Sequence, residues 1–309
     1  MKIDMMIEIN FLALSAATLR MATPIAFAGL GGLMSERVGV MNIALEGMMM
    51  MGTLCSAYIS YVSGNPWIAL IVTALVGAVL GGLHAVLCIR FRGLQIVSGF
   101  GINIFTFGFT PFVSAIVWGS RGTSERVVGL PTLTYLGLKE TPIIDEILGS
   151  QSPLMILLIF AVILIHIALY KTSFGLRIRA IGANPKAALS SGIHIRKYQY
   201  TCVILSGIFA SLGGAFLVLS VANHYSTGMT AGRGFIGLVA MILGKWKPMN
   251  VFGASILLGF GDALQISLQG SGIPVQMIQT IPYLLTIFVL IGIVGKIVAP
   301  TGYKPHAED

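Results

Sequence analysis

Charge is what this sequence has least of. Asp, Glu, Lys and Arg together make up 10% of its 309 residues, against about 25% in an ordinary soluble domain. A water-soluble globule of this length cannot cover its surface with so few charges, so that class is excluded. Cysteine is nearly absent. Cys55, Cys88 and Cys202 all lie inside apolar runs, without disulfide, metal or redox spacing, and read as small buried hydrophobes. There is no Gly-x4-Gly-Lys-Ser/Thr phosphate loop, so the chain does not power itself with ATP through that motif. No metal-ligand constellation and no nucleophile–base pairing stands out, so no catalytic residue and no metal site is assigned. Asp4 and Glu8 occupy the place where a secretory signal carries basic charge. No small-residue cleavage site follows, and a removed signal is not expected.

What is there is apolar. Hydrophobic residues make up 56% and glycines number 38, with a mean hydropathy of +0.90. Lipid is the solvent that accommodates this composition, and the glycines suit close helix packing within it. The net charge of +8 sits in short loops between apolar runs and points to membrane orientation, not to nucleic acid. Spans of about 20 apolar residues are expected near 21–36, 41–62, 66–89, 96–118, 153–171, 200–221, 232–244, 250–268 and 276–295. The first and seventh are short or glycine-broken, and an amphipathic stretch near 7–20 is expected to lie along the interface. The fold class is therefore all-α: one polytopic transmembrane bundle over 1–309, with about nine spans (eight to ten).

Lys and Arg set the orientation. With the N-terminus outside and the C-terminus cytoplasmic, the inner side holds Arg37, Arg90, Arg92, Lys245, Lys247, Lys296, Lys304 and the basic cluster between Lys171 and Lys197. The outer side holds only Lys2, Arg121, Arg126 and Lys139. Arg20 and Arg233 sit near outer span ends, where long side chains snorkel. Two loops are long: an outer one near 119–152 and a basic inner one near 172–199. In the inner loop Asn184 is a good N-cap, Pro185 suits the first helical position and Gly192 is the expected stop. A helix of about two turns is predicted there, too short to stand alone.

Several motifs make the chain recognisable. Ala17–Pro24 leads to Glu36-Arg37-Val38-Gly39-Val40-Met41-Asn42-Ile43-Ala44-Leu45-Glu46-Gly47. Val97-Ser98-Gly99 with Asn103, Leu205-Ser206-Gly207, Gly232-Arg233-Gly234-Phe235-Ile236-Gly237 and Pro300-Thr301-Gly302-Tyr303 follow. Together they resemble the permeases of branched-chain amino-acid and simple-sugar ABC importers, nearest the nucleoside branch. A Gly-Gly-Ile-Asp-Leu-Ser-Val-Gly run, typical of ribose-type relatives, is absent, although a simple-sugar permease stays open as the alternative. The resemblance implies a bacterial cytoplasmic membrane protein that binds no cofactor itself. ATP and Mg would belong to a separate ATPase subunit, substrate capture to an extracellular binding protein, and a second, paralogous permease would complete a heterodimer. It also implies that the inner-loop helix, with Asn184, Pro185, Lys186, Ala187, Ala188 and Gly192, docks on the ATPase.

Polar groups inside spans are costly and default to functional candidates. Asn42 and Glu46, spaced to share a helical face, Ser98, Asn103, Asp262 and Gln265 are read as a translocation path. Each has a bland alternative as a brace between helices. Asn223 and His224 mark an ordinary polar span end, and His84 and His166 read as helix–helix hydrogen-bond partners. Gly232-x-Gly234-x-x-Gly237 spells a dinucleotide fingerprint but follows no strand, so it reads as close packing or a broken helix. A secondary transporter or channel would need a relay of intramembrane charges, and those present are too few and scattered.

Overall fold

The computed structural model describes residues 11–132, 149, 151–269 and 274–293. Most of the expected outer loop beyond 132, the end of the ninth expected span and the Pro300–Tyr303 motif lie outside the described residues. Twelve α-helices are described: α1 (Phe11–Glu36), α2 (Leu45–Ser63), α3 (Pro66–Ala85), α4 (Gln95–Trp118), α5 (Pro153–Lys171), α6 (Ser173–Ala183), α7 (Pro185–Ser190), α8 (Ile195–Phe216), α9 (Arg233–Leu243), α10 (Pro248–Ser267), α11 (Val275–Gln279) and α12 (Ile281–Ile293). Extra π-helical turns extend α3 over Val86–Arg90 and α8 over Leu217–Ala222. Among the described residues β-structure is limited to one isolated antiparallel bridge, Thr123 with Ser226.

The bundle is apolar on the outside. On α3, Ile68, Ile71, Leu75, Val79 and Leu83 form one exposed stripe, while Thr73, Gly77, Gly81 and His84 are buried on the other. That is the reverse of a water-soluble helix and is what lipid selects. Among the described residues, six helices are long and apolar enough to cross a membrane: α1, α3 with its extension, α4, α5, α8 with its extension, and α10.

Three expected spans take other forms. The stretch 41–62 begins with non-helical backbone, and α2 starts only at Leu45. It packs against α3, α4, α8 and α9 and needs less apolarity because protein, not lipid, surrounds it. The stretch 232–244 is α9, with 11 residues. At 1.5 Å per residue it is about 16 Å long, roughly half the hydrocarbon thickness. The stretch 276–295 is broken at Thr280, between α11 and α12, just ahead of Pro282. The interfacial stretch near 7–20 is also corrected: from Phe11 onward it is the first part of the 26-residue α1, which continues through Pro24. Spanning helices tolerate such a proline when neighbouring groups satisfy the backbone.

The centre of the bundle is α1, α2 and α8. Glycine lets α3 and α8 approach backbone to backbone, for a Cβ on Gly77 would strike the Gly207 carbonyl and one on Gly207 would strike that of Gly77. Overpacking this contact with Gly207→Leu is expected to cost about 1–3 kcal/mol or more and to lower the thermal midpoint of the purified protein in detergent. Gly101→Ala, with nothing within 4 Å, is the neutral control. Equal midpoints would refute the close approach.

Candidate functional site

Between α1 and α2 the chain runs through buried, non-helical backbone. Val38, Gly39, Val40, Asn42 and Ala44 are buried, and irregular backbone at such a place must find internal hydrogen-bond partners. Side chains from three other helices provide them. Gln95 of α4 accepts from the Met41 amide at 2.7 Å and donates to the Gly39 carbonyl at 3.3 Å. Gln199 of α8 donates to Val38 O. His84 of α3 meets Met41 O through Nε2 at 3.0 Å. A carbonyl only accepts, so Nε2 carries the proton. Nδ1 is then the acceptor, and Ser98 Oγ donates to it at 2.9 Å.

The segment's own polar side chains complete the bracing. Asn42 is fully buried. Its Oδ1 accepts from the Ala44 amide at 3.0 Å, and its Nδ2 donates to Ser206 Oγ of α8 at 2.9 Å. Because Asn42 precedes α2, it does not share a helical face with Glu46 as its spacing suggests. Asn103 is 2% exposed. It accepts from the Gly47 amide at 2.8 Å and donates to Ile43 O at 3.0 Å, satisfying groups that the first turn of α2 leaves open.

The two ends of this segment hold the two ends of α9. Glu46, 2% exposed, accepts three hydrogen bonds at the N-terminus of α9: Oε1 from Thr230 Oγ1 at 2.6 Å and from the Gly232 amide at 3.0 Å, and Oε2 from the Gly234 amide at 2.7 Å. The helix dipole favours an anion there. At the other end, Trp246 Nε1 donates to Glu36 Oε2 at 2.6 Å, and Arg37 donates to Trp246 O through Nε, at 3.0 Å, and through Nη2. The glycines of Gly232-Arg233-Gly234 are thereby explained. Gly232 has φ +78°, and a Cβ on Gly234 would lie 2.5 Å from Glu46 Cα. The dinucleotide-like spacing is a helix N-terminus built to receive a carboxylate.

Beside this clasp, Arg233 pairs with Asp262 of α10 at 3.3 Å. The expected snorkelling of Arg233 is thereby corrected, since its guanidinium is held by a neighbouring helix. Gln265 lies less than one turn further along α10 and is half-buried. Ser98 is half-buried on its histidine.

The segment 172–199 is more structured than its sequence signals indicate. It holds α6 as well as the short α7. Asn184 is extended and accepts from the Ala187 amide at 3.1 Å, Pro185 opens α7, and Gly192 follows with φ +75°. Ala188 is buried and anchors α7, while Lys186, Ala187 and Leu189 face outward, Leu189 with 65% exposure.

Residues 14–290 match the family described as branched-chain amino acid transport system / permease component. The chain belongs to this family. It is thus a transport subunit and not an enzyme, a multi-pass protein of the cytoplasmic membrane. Among similar proteins, the guanosine ABC transporter permease protein NupQ of Bacillus subtilis is 36% identical over 92% of each chain. The nucleoside ABC transporter permease protein NupC of Lactococcus lactis is 35% identical over 90% of this chain and 91% of its own. The putative glucose ABC transporter permease protein TsgC13 of Haloferax volcanii is 33% identical over 89% of each. No solved structure matches the chain.

In this permease the residues that sequence reasoning missed are partners, not motif members: Gln95, Gln199, Thr230 and Trp246. No local pattern flags them, for each acts on backbone or side chains far away in sequence. Replacing Glu46 by Gln keeps the shape but sets an NH2 group against an N–H donor. The lost charge-assisted bonds are each worth about 1.5–3 kcal/mol. Glu46→Gln is expected to lower the thermal midpoint more than Gln265→Leu does, in the same detergent and at the same pH. A smaller effect at Glu46 would overturn its role as the anchor of α9.

Proposed function

We propose that the chain is one permease subunit of an ATP-driven importer that passes a nucleoside inward. A separate ATPase holds ATP and Mg, an extracellular binding protein delivers the substrate, and a second, paralogous permease completes the pore. The observation that carries this reading is the similarity along nine-tenths of the chain to permeases named for guanosine and nucleosides. A sugar is the second reading, supported by the relative named for glucose at nearly the same identity.

In this reading the chain crosses the membrane about nine times, with its N-terminus outside and its C-terminus in the cytoplasm. The six long apolar helices, the buried α2, the half-length α9 and the broken α11–α12 make up the count. The basic 172–199 segment lies in the cytoplasm, and the outer loop spans 119–152. Short helix α7, around Asn184, Pro185, Lys186, Ala187, Ala188 and Gly192, seats in the ATPase. Its outward face carries Lys186, Ala187 and Ser190, with Leu189 as a single apolar knob, and such a surface fits a groove.

The path runs along α9, a discontinuous helix of the kind on which transporters build their sites. Asn42, Glu46 and Asn103 shape its wall from behind, because their polar atoms are committed to protein partners. Asp262 and Gln265, half-buried on α10, are the groups placed to meet substrate, and Ser98 borders the inner end. A self-sufficient secondary transporter is disfavoured, because Arg233–Asp262 is the one ion pair among the described residues and no chain of carboxylates leads away from it.

The test is uptake of labelled guanosine, adenosine, uridine and ribose in cells lacking the chain and in complemented cells, with and without ATP depletion. Restored, ATP-dependent nucleoside uptake is expected. Restored ribose uptake alone would move the assignment to sugars, and uptake that survives loss of the ATPase would discard the importer mechanism. Ala187→Arg places a large charge on the outward face of α7. It is expected to abolish uptake while the protein still inserts, and full transport would discard the docking assignment.

A further inference from the structure

One aromatic ring joins the clasp around α9 to the cytoplasmic helices. Tyr170, in the last turn of α5, accepts a hydrogen bond on its hydroxyl from Arg37 Nη2 at 3.3 Å. From the other side Arg179 of α6 lies over the same ring, 5.2 Å from its centroid, a cation–π contact. Arg179 Nε is buried and has no hydrogen-bond partner among the described residues, so the ring is a principal restraint on that side chain. Helix α6 continues through Asn184 directly into α7. Nε and Nη2 of Arg37 also donate to the Trp246 carbonyl, one turn past α9.

Irregular turns flank helix α9 on both sides. Gly228, Ala231 and Gly232 precede it with positive φ, and Lys245 and Trp246 follow it with φ of 50° and 53°. Two consecutive non-glycine residues in that conformation persist only where surrounding contacts over-determine them, and here those contacts come from Glu36 and Arg37. Along its length α9 packs against α1, with Gly237 against Ala28 and Gly29 and with Ala240 and Leu243 against Ile25.

We propose that Arg37 and Tyr170 are positioning residues that carry a displacement of α6–α7 to the half-helix α9. The chain of contact is Arg179, the Tyr170 ring, its hydroxyl, the Arg37 fork and the Trp246 carbonyl, and the segment 36–46 carries the same displacement to the N-terminus of α9 through Glu46. This inference rests on the permease reading, in which the ATPase acts on α7. It assigns to the Glu36-Arg37 end of the motif a role in transmission that its place between two helices does not announce. The bland alternative is that Arg37 and Tyr170 only hold the fold together.

The experiment uses the purified complex of this chain with its ATPase and second permease. Phe235, on the outward face of α9 and 37% exposed, is replaced by Cys. The native cysteines, buried or half-buried, are replaced by Ala. The maleimide labelling rate is compared between the nucleotide-free and ATP-trapped complex, and ATP hydrolysis is measured alongside. A change of about fivefold or more between the two states is expected, the lower bound of ordinary coupling. Tyr170→Phe keeps the ring and loses the hydroxyl, and Arg37→Lys keeps the charge and loses the fork. Each is expected to bring the ratio close to one while hydrolysis stays within about twofold, a shift too small to count as coupling. A ratio that survives both substitutions overturns the proposal. So does loss of hydrolysis together with the ratio in Tyr170→Phe, which would mark a general structural failure. The readout does not depend on which solute is carried. Failure of the nucleoside assignment would show in the uptake assay alone and leave the labelling ratio intact.

Discussion

The structure turns on one buried carboxylate. Glu46 sits inside the bundle with no cation in ion-pair range among the described residues, and an isolated charge in such surroundings is costly. What makes it tolerable is the open end of a helix. The amides of Gly232 and Gly234 and the hydroxyl of Thr230 converge on its two oxygens, and the dipole of α9 adds a favourable field. The need is mutual, since a helix that starts inside the bundle has orphan amides that must find partners there. Neither feature is stable without the other, and each accounts for a part of the sequence that is otherwise odd: an acidic residue inside an apolar run and a glycine-rich run without a strand before it.

From that contact the architecture follows outward. Glu46 fixes where α2 begins, which leaves 37–44 as irregular backbone, and that backbone recruits Gln95, His84, Asn103, Gln199 and Ser206 from three neighbouring helices. Polar residues that face inward from α3, α4 and α8 thus have a structural purpose before any contact with substrate is invoked. The same logic separates the candidates for the transport path. Asn42, Glu46 and Asn103 are buried and hydrogen-bonded to protein partners, whereas Gln265 on α10 is half-buried.

Much of this was legible in sequence. Low charge and high hydropathy gave the all-helical membrane class. Asn184, Pro185 and Gly192 marked α7 with its caps, because capping depends on residues adjacent in sequence. The bundle's deviations were not legible for the opposite reason. That Glu46 caps α9, that Asp262 has Arg233, and that Asn42 lies outside α2 all depend on contacts between residues far apart in the chain. Hydropathy also misled in a definite way. It measures compatibility with lipid, and α2, wrapped in protein, has less need of it.

The clasp ties two distant parts of the chain by length. Segment 36–46 grips α9 at both ends, through Glu36 and Arg37 at one and Glu46 at the other, so its reach is matched to the roughly 16 Å that α9 spans. Adding a turn to α9 would carry its N-terminus about 5.4 Å away from Glu46. An insertion or deletion in either stretch is therefore ruinous alone and tolerable only with a compensating change in the other, some two hundred positions away along the chain. Through this rule of paired lengths, the gene inherits the dimensions of the fold.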